Sequence, residues 1–192
     1  SQYLPAFFQM QLTQQTLDVE AGARVATGSS MGEHVAVTQD KAAKNPITVK
    51  HLLTMTAGLD YNLYASGIRS AMEDGKTTTH ELVEAMAQTV LGFEPGTRFR
   101  YSLCHDVLAA LVEVLSGQKF EIYVKEHIFD PLGMENSDFL HPMEDWNGFA
   151  RQFRYDPITS QCQPWWDNTY RPGKEYASGG AGCVSTGCLL YT

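Results

Sequence analysis

Long apolar runs are missing from this sequence. No stretch reaches the roughly 20 apolar residues that a bilayer-spanning helix needs, so no membrane span is expected. The first residues, SQYLPAFFQM, have neither the basic start nor the long apolar middle of a secretory leader. Basic clusters are missing too. Lys and Arg total 14 against 22 Asp and Glu, for a net charge of -8. A nucleic-acid surface needs clustered cations, so none is expected. Cysteine is sparse: Cys104, Cys162, Cys183 and Cys188. Only the last two are close, with no second pair and no histidine nearby, which excludes the usual zinc patterns. No cofactor or metal is expected. Reduced, buried thiols are expected rather than disulfides, and a cytoplasmic setting is favoured for the residues as given.

Several catalytic signatures are absent as well. No two histidines stand at i, i+4 with a glutamate. Gly182 to Gly187, GCVSTG, has the spacing of a phosphate loop, but Cys188 stands where lysine is required. Gly180-Ala181-Gly182 lacks the third glycine of a dinucleotide fingerprint. There is no internal repeat and no low-complexity tract.

What remains is a helical pattern with 43% hydrophobic residues, ample for one core. Tyr3-Leu4-Pro5 with Phe7 and Phe8 reads as a buried turn. Thr13 to Asn45 is polar and glycine-rich and reads as loop, with a short strand around Val35 and Val37. Ile47 to Asp60 reads as a helix capped by Thr48, lined by Val49, Leu52 and Leu53, and closed by Gly58. His51 inside it reads as a surface or packing residue. Asp60 to Gly75 is loop or weak helix. Thr78 to Glu81 is a capping box opening a helix that carries Leu82, Val83, Met86 and Val90 and ends near Gly92. Lys119 to Phe129 is a further helix with Phe120, Tyr123, Val124, Ile128 and Phe129 inward, stopped by Pro131 and Gly133. Phe149 to Tyr155 alternates as a strand, Asp156-Pro157 turns it, and Ser160 to Trp166 pairs back. Ser178 to Gly187 is a glycine-rich loop.

The stretch that organises the chain is Phe93 to Gly117, FEPGTRFRYSLCHDVLAALVEVLSG. Pro95-Gly96 makes a turn and Thr97 to Tyr101 is extended. Ser102 is placed to cap a helix whose apolar residues are Val107, Leu108, Leu111, Val112 and Leu115. Gly117 ends it. Tyr101 thus precedes a helix N-terminus, where partial positive charge favours an anion. Cys104 in the first turn would by the same argument have a lowered thiol pKa.

Five blocks, ITVKHLLTMTAGL, FEPGTRFRYS, LAALVEVLSG, IFDPLGM and SGGAGCVSTG, occur in that order from Ile47 to Gly187. Together they resemble the serine β-lactamase and penicillin-binding-protein superfamily, in its class C-like branch with D-Ala-D-Ala carboxypeptidases and esterases. The resemblance implies an acyl-enzyme on a serine of a Ser-x-x-Lys motif, a Tyr-x-Asn tyrosine that moves the proton, and a late Lys-Thr-Gly or His-x-Gly strand. It places Tyr101 at the motif tyrosine, with Ser102 and Leu103 as substrate-binding positions.

The sequence departs from that pattern in three ways. The literal Ser-x-x-Lys, Ser116-Gly117-Gln118-Lys119, follows the tyrosine instead of preceding it and reads as a decoy, as does Thr38 to Lys41. Leu103 stands at the Asn position, replacing an amide with an apolar side chain. No Lys-Thr-Gly or His-x-Gly is present, and Lys76-Thr77-Thr78 leads into a helix.

The expected fold is therefore mainly α with a short β-hairpin: the helical subdomain of the α+β β-lactamase/transpeptidase-like fold. Residues 1–192 are expected to be one such subdomain, cut at both ends, with the nucleophile segment and final strands outside it. The implied function is that of a fragment of a serine hydrolase acting on a β-lactam, peptide or ester. The parent would be the enzyme, and this chain alone would be inactive. Its partners would be the missing α/β part and, through cut apolar faces, further copies of itself. The alternative is a non-catalytic binding module that uses the Tyr101 cleft and an aromatic surface of Trp165, Trp166, Tyr170 and Tyr176.

Overall fold

The computed structural model describes residues 4, 6–7, 10–16, 36–63, 65–139, 150, 153–164 and 175–187. The element order is β1 (Gln11–Thr16), β2 (Ala36–Ala42), α1 (Val49–Leu53), α2 (Ser66–Glu73), α3 (Thr79–Met86), α4 (Cys104–Ser116), α5 (Phe120–Val124), β3 (Phe153–Asp156) and β4 (Gln161–Pro164). A π-helical turn, Lys125–Phe129, continues α5. Among the described residues the architecture is mainly α, with two separate two-stranded antiparallel sheets, and so matches the expected class. Among the described residues no helix is long and apolar enough to cross a membrane.

The helix α4 is the hub, packed against α1, α3 and α5. Its buried side is Cys104, Asp106, Val107, Ala109, Ala110 and Leu111. Of these, Cys104, Val107, Ala110 and Leu111 join Leu52, Ile68, Leu82, Val83, Met86 and Leu91 in the main core. Complete burial of a Val or Leu contributes about 1.5–3 kcal/mol, so Val83, Leu91 and Val107 are among its strongest holds. A second, smaller core joins Val124, Phe129, Phe139 and Ala177. There Phe139 meets Phe120 edge-on at 5.0 Å and stacks on Phe129 at 6.1 Å.

Most local signals act where the sequence puts them. Thr78 and Glu81 form their capping box at the start of α3. Thr48 caps α1, with His51 completing a second box. Gly117 ends α4 with φ 71, a conformation that costs glycine nothing. Within the expected C-terminal hairpin, β3 and β4 pair from Phe153↔Pro164 to Asp156↔Gln161.

Four expectations change. The stretch Thr13 to Asn45 holds more strand than expected: the strand expected around Val35 and Val37 is β2, and it pairs with β1, with an irregularity between Gln14 and Gln15. QLTQQT carries no apolar alternation, so only its hydrogen-bonding partner reveals it as a strand. The helix expected to reach Asp60 stops at Leu53, and Met55 takes φ 55. Likewise α3 ends at Met86, well before Gly92, while Ser66–Glu73 forms a regular helix. Finally, Val49, Leu53, Val90, Leu115 and Ile128 are exposed although they continue apolar stripes. Periodicity says which side of a helix is apolar, not how far along it a neighbour reaches.

Candidate functional site around Tyr101

Residues 92–103 are laid against residues 55–60 by backbone hydrogen bonds. Gly92 N–H donates to the Gly58 carbonyl at 2.9 Å, Gly96 N–H to Thr56 at 2.8 Å, Arg100 N–H to Met55 at 2.9 Å and Leu103 N–H to Asp60 at 3.2 Å. The early end of α1 is local: with Met55 at φ 55, Thr56 N–H reaches back to the His51 carbonyl at 2.8 Å and Met55 N–H to Leu52 at 3.3 Å, which uses up the last carbonyls of the helix. The turn at Glu94-Pro95-Gly96-Thr97 closes with Thr97 N–H donating to the Glu94 carbonyl at 3.1 Å. Proline at the second position and Gly96 at φ 86 in the third fit a type II turn. The Glu94 carboxylate accepts from Lys44 N–H at 3.0 Å, tying the turn to the chain that follows β2. His51 is a packing residue, as expected: a Cβ added at Gly96 would lie 2.9 Å from its Nε2.

This frame turns Tyr101 outward. Its side chain is 60% exposed, three residues ahead of α4. The Tyr61 ring lies beside it, centroid to centroid 5.2 Å. Ser102 and Leu103 turn inward and are buried. Ser102 does not cap α4: the N-cap residue is Leu103, with no side-chain cap bond. The Ser102 hydroxyl faces sulfur instead, 3.1 Å from Cys104 Sγ and 3.8 Å from Met55 Sδ. Leu103 helps line a cavity of about 160 Å³ between α2, the end of α3 and residues 59–62.

Cys104 is fully buried, and burial pushes its thiol up, reversing the lowering expected from its place in the first turn. Cys162 and Cys183 are free and exposed, so buried thiols hold for Cys104 and not for these two. Cys188 lies outside the described residues. Ser116 and Lys119 are at the far end of α4. Thirteen residues at a 1.5 Å rise put about 20 Å between that end and the Tyr101 end. Ser116 Oγ accepts from Gln118 N–H at 3.1 Å, as a turn serine does. Among the described residues no group of three or more His, Cys, Asp and Glu is placed to hold a metal.

One buried cluster was not singled out from the sequence. Asp106, on the inner side of α4, accepts from the Tyr176 hydroxyl at 2.6 Å and from Ser178 Oγ at 2.5 Å. Ser178 Oγ also accepts from the N–H groups of Gly180 and Ala181. Thr79, at the start of α3, accepts from Ala177 N–H at 2.8 Å. A Cβ at Gly179 would come 2.4 Å from the His105 carbonyl. The glycine-rich loop is therefore glycine-rich because it lies hard against α4. A signal was available in the form of an aspartate on the apolar side of a helix, which needs partners. Tyr176 belongs to this cluster and is buried, so it is no part of an aromatic surface. Trp165, Trp166 and Tyr170 lie outside the described residues.

The family model for Beta-lactamase matches residues 6–187. The chain belongs to that family. The five-block resemblance is thereby borne out. Esterase EstB of Burkholderia gladioli is 34% identical over 102 residues, which are 49% of this chain and 26% of that esterase. This chain thus matches about a quarter of that relative's length. Among solved structures, EstCE1, a hydrolase with promiscuous acyltransferase activity, is 30% identical with a TM-score of 0.60, over 75% of this chain and 44% of that one. The simvastatin synthase LovD of Aspergillus terreus has a TM-score of 0.66 over 96% of this chain and 42% of that one. At 22% identity it shows the fold alone.

Proposed function

We propose that these residues are the helical part of a serine hydrolase that works through an acyl-enzyme, with Tyr101 as its proton carrier. The single observation behind this reading is the exposure of Tyr101. Exposure leaves the phenol free to meet a substrate, whereas Tyr176 is buried and bonded to Asp106. Tyr101 is held outward by a backbone frame whose bonds fix its neighbours on both sides. A serine at its free pKa is a weak nucleophile. In the proposed reaction the phenolate takes the serine proton as Oγ attacks the carbonyl, then returns it to the leaving alkoxide. Water repeats the cycle in reverse to free the acid and the serine.

Of the three substrate classes, β-lactam, peptide and ester, an ester fits best. Leu103 offers no amide to bond a substrate amide, and EstB, an esterase by name, is the relative that supports it. The reacting serine and its lysine are proposed to come from outside residues 1–192, because Ser116 is carried about 20 Å away by α4. Residues 1–192 by themselves then form no acyl-enzyme, and the α/β part of the same protein is their partner.

The test is intact-mass labelling with a fluorophosphonate and with a penicillin, on the full-length protein and on this chain. The full-length protein is expected to gain one adduct. Its Tyr101→Phe variant should label about 10²–10⁴ times more slowly, the usual contribution of a positioned proton-transfer group. This chain should gain none. A stoichiometric adduct on this chain alone would overturn the reading.

A further inference from the structure

We propose that Ser102 is a positioning residue for Tyr101: a buried chain of hydrogen bonds from Cys104 through Ser102 to Met55 sets the direction in which the phenol is presented. That the phenol carries a proton rests on the hydrolase reading; the chain of bonds does not.

The Tyr101 side chain is exposed, and among the described residues its ring meets that of Tyr61. Its direction is therefore set from the backbone. On one side Arg100 N–H donates to the Met55 carbonyl, and on the other Leu103 N–H donates to that of Asp60. Ser102 lies between these two bonds, next to Tyr101, and is buried.

The chemistry of sulfur fixes the order of the chain. A thioether has no hydrogen, so Met55 Sδ accepts, and the Ser102 hydroxyl is its donor at 3.8 Å. With that hydrogen committed, Ser102 Oγ accepts from the Cys104 thiol at 3.1 Å. The Ala57 N–H points in turn to the Cys104 sulfur. Burial favours the neutral thiol, which is the form with a hydrogen to donate. Bonds to sulfur are weak one by one, but a buried hydroxyl left without a partner is costly.

Met55 has φ 55, which is uncommon for a residue with a side chain. It serves the Tyr101 segment twice, since its carbonyl takes Arg100 N–H and its sulfur takes the Ser102 hydroxyl. A backbone outlier persists where its surroundings hold it, and here the segment carrying Tyr101 does so. Ser102 is thus engaged as donor and as acceptor. Its duty differs from the substrate-binding one that the resemblance implies.

The test uses full-length protein with isotope-labelled tyrosine, the Tyr101 ring signals being those missing from Tyr101→Phe. A nuclear Overhauser effect between the Tyr61 and Tyr101 rings is expected. It should weaken, and the Tyr101 signals should shift, in Ser102→Ala and in Met55→Leu, which keeps volume but removes the acceptor. Cys104→Ala should act likewise, and Cys104→Ser, which returns a donor to Ser102, should recover the original signals. Unmoved Tyr101 signals in Ser102→Ala and Met55→Leu would overturn the proposal.

A second arm follows hydrolysis of p-nitrophenyl acetate. In Ser102→Ala kcat should fall about ten- to a hundredfold with KM little changed, as when a reacting group is misplaced by up to about 1 Å. Cys104→Ser should recover most of what Cys104→Ala loses. A raised KM with kcat intact would make Ser102 a substrate-binding residue and overturn the proposal. A lower melting temperature with kcat intact would reduce it to packing and do the same. The two readings fail separately. Displaced Tyr101 signals in a protein that hydrolyses no ester keep the positioning chain and remove the hydrolase. Hydrolysis at an unchanged rate in Ser102→Ala keeps the hydrolase and removes the positioning chain.

Discussion

Two residues ahead of and inside α4 carry opposite duties. Tyr101 is exposed and makes little of the fold, so Tyr101→Phe should change activity and leave stability within about 0.5 kcal/mol. Asp106 is the reverse. It is buried and accepts from two hydroxyls, those of Tyr176 and Ser178. Hydrogen bonds to a charged group are worth about 1.5–3 kcal/mol each, less when the released hydroxyls find other partners. Asp106→Ala should therefore cost about 3 kcal/mol in urea unfolding, and Tyr176→Phe and Ser178→Ala each less. The double variant Tyr176→Phe/Ser178→Ala should cost less than the sum, since both bonds converge on one oxygen. Strict additivity would show that the two hydroxyls act independently.

At the scale of elements, the capping signals decide where helices start. The Thr78 hydroxyl accepts from Glu81 N–H, and the Glu81 carboxylate accepts from Thr77 and Thr78. Thr78→Ala should destabilise by about 1 kcal/mol, read by chemical denaturation, whereas an exposed control such as Thr159→Ala in the β3–β4 turn tests local stability only. Glu113, late in α4, behaves differently. It is half-buried, and burial pushes its carboxyl up, while the bond from Phe120 N–H pulls the other way. A raised carboxyl means the folded state holds its proton longer than the unfolded state. The contribution of Glu113 is thus fully present below the ordinary glutamate range and is lost as pH rises through the raised folded value. Glu113→Gln keeps an acceptor for Phe120 and cannot titrate. Its melting temperature should gain on the wild type as pH rises through that window. Parallel melting curves would remove Glu113 as the cause.

For the whole molecule, the exposed apolar side chains are the unusual feature. Leu53, Phe99, Leu115 and Leu132 are each at least 60% exposed, and Val49 accompanies Leu53 on α1. Scattered exposed leucines are ordinary, but leucines and a phenylalanine as exposed as these offer apolar surface to a partner. The chain by itself should therefore self-associate at tens of micromolar or above, on the order of what weak apolar contacts give. Sedimentation equilibrium measures this. Leu53→Glu with Phe99→Ser should shift the profile toward monomer. A monomer at high concentration in the unaltered chain would show that these faces are not adhesive.

The sequence by itself determined what depends on neighbours along the chain. The Thr48 and Thr78 caps, the glycine end of α4, the Pro95-Gly96 turn and the β3–β4 hairpin all act over a few residues, so their chemistry is local. The order of five short blocks, a property of sequence alone, was enough to indicate the family. Tertiary structure decided the rest. It paired the polar β1 with β2, because strand pairing draws its hydrogen bonds from a partner distant in sequence. It laid residues 92–103 along the turn that follows α1, where the Met55, Thr56, Gly58 and Asp60 carbonyls accept from a segment about forty residues away. It also turned Ser102 inward to sulfur, brought Ser178 to Asp106 across 72 positions, and made Leu103 the floor of a cavity rather than a gap in a motif. Each of these outcomes depends on which groups meet in space, and no spacing along the chain encodes that meeting.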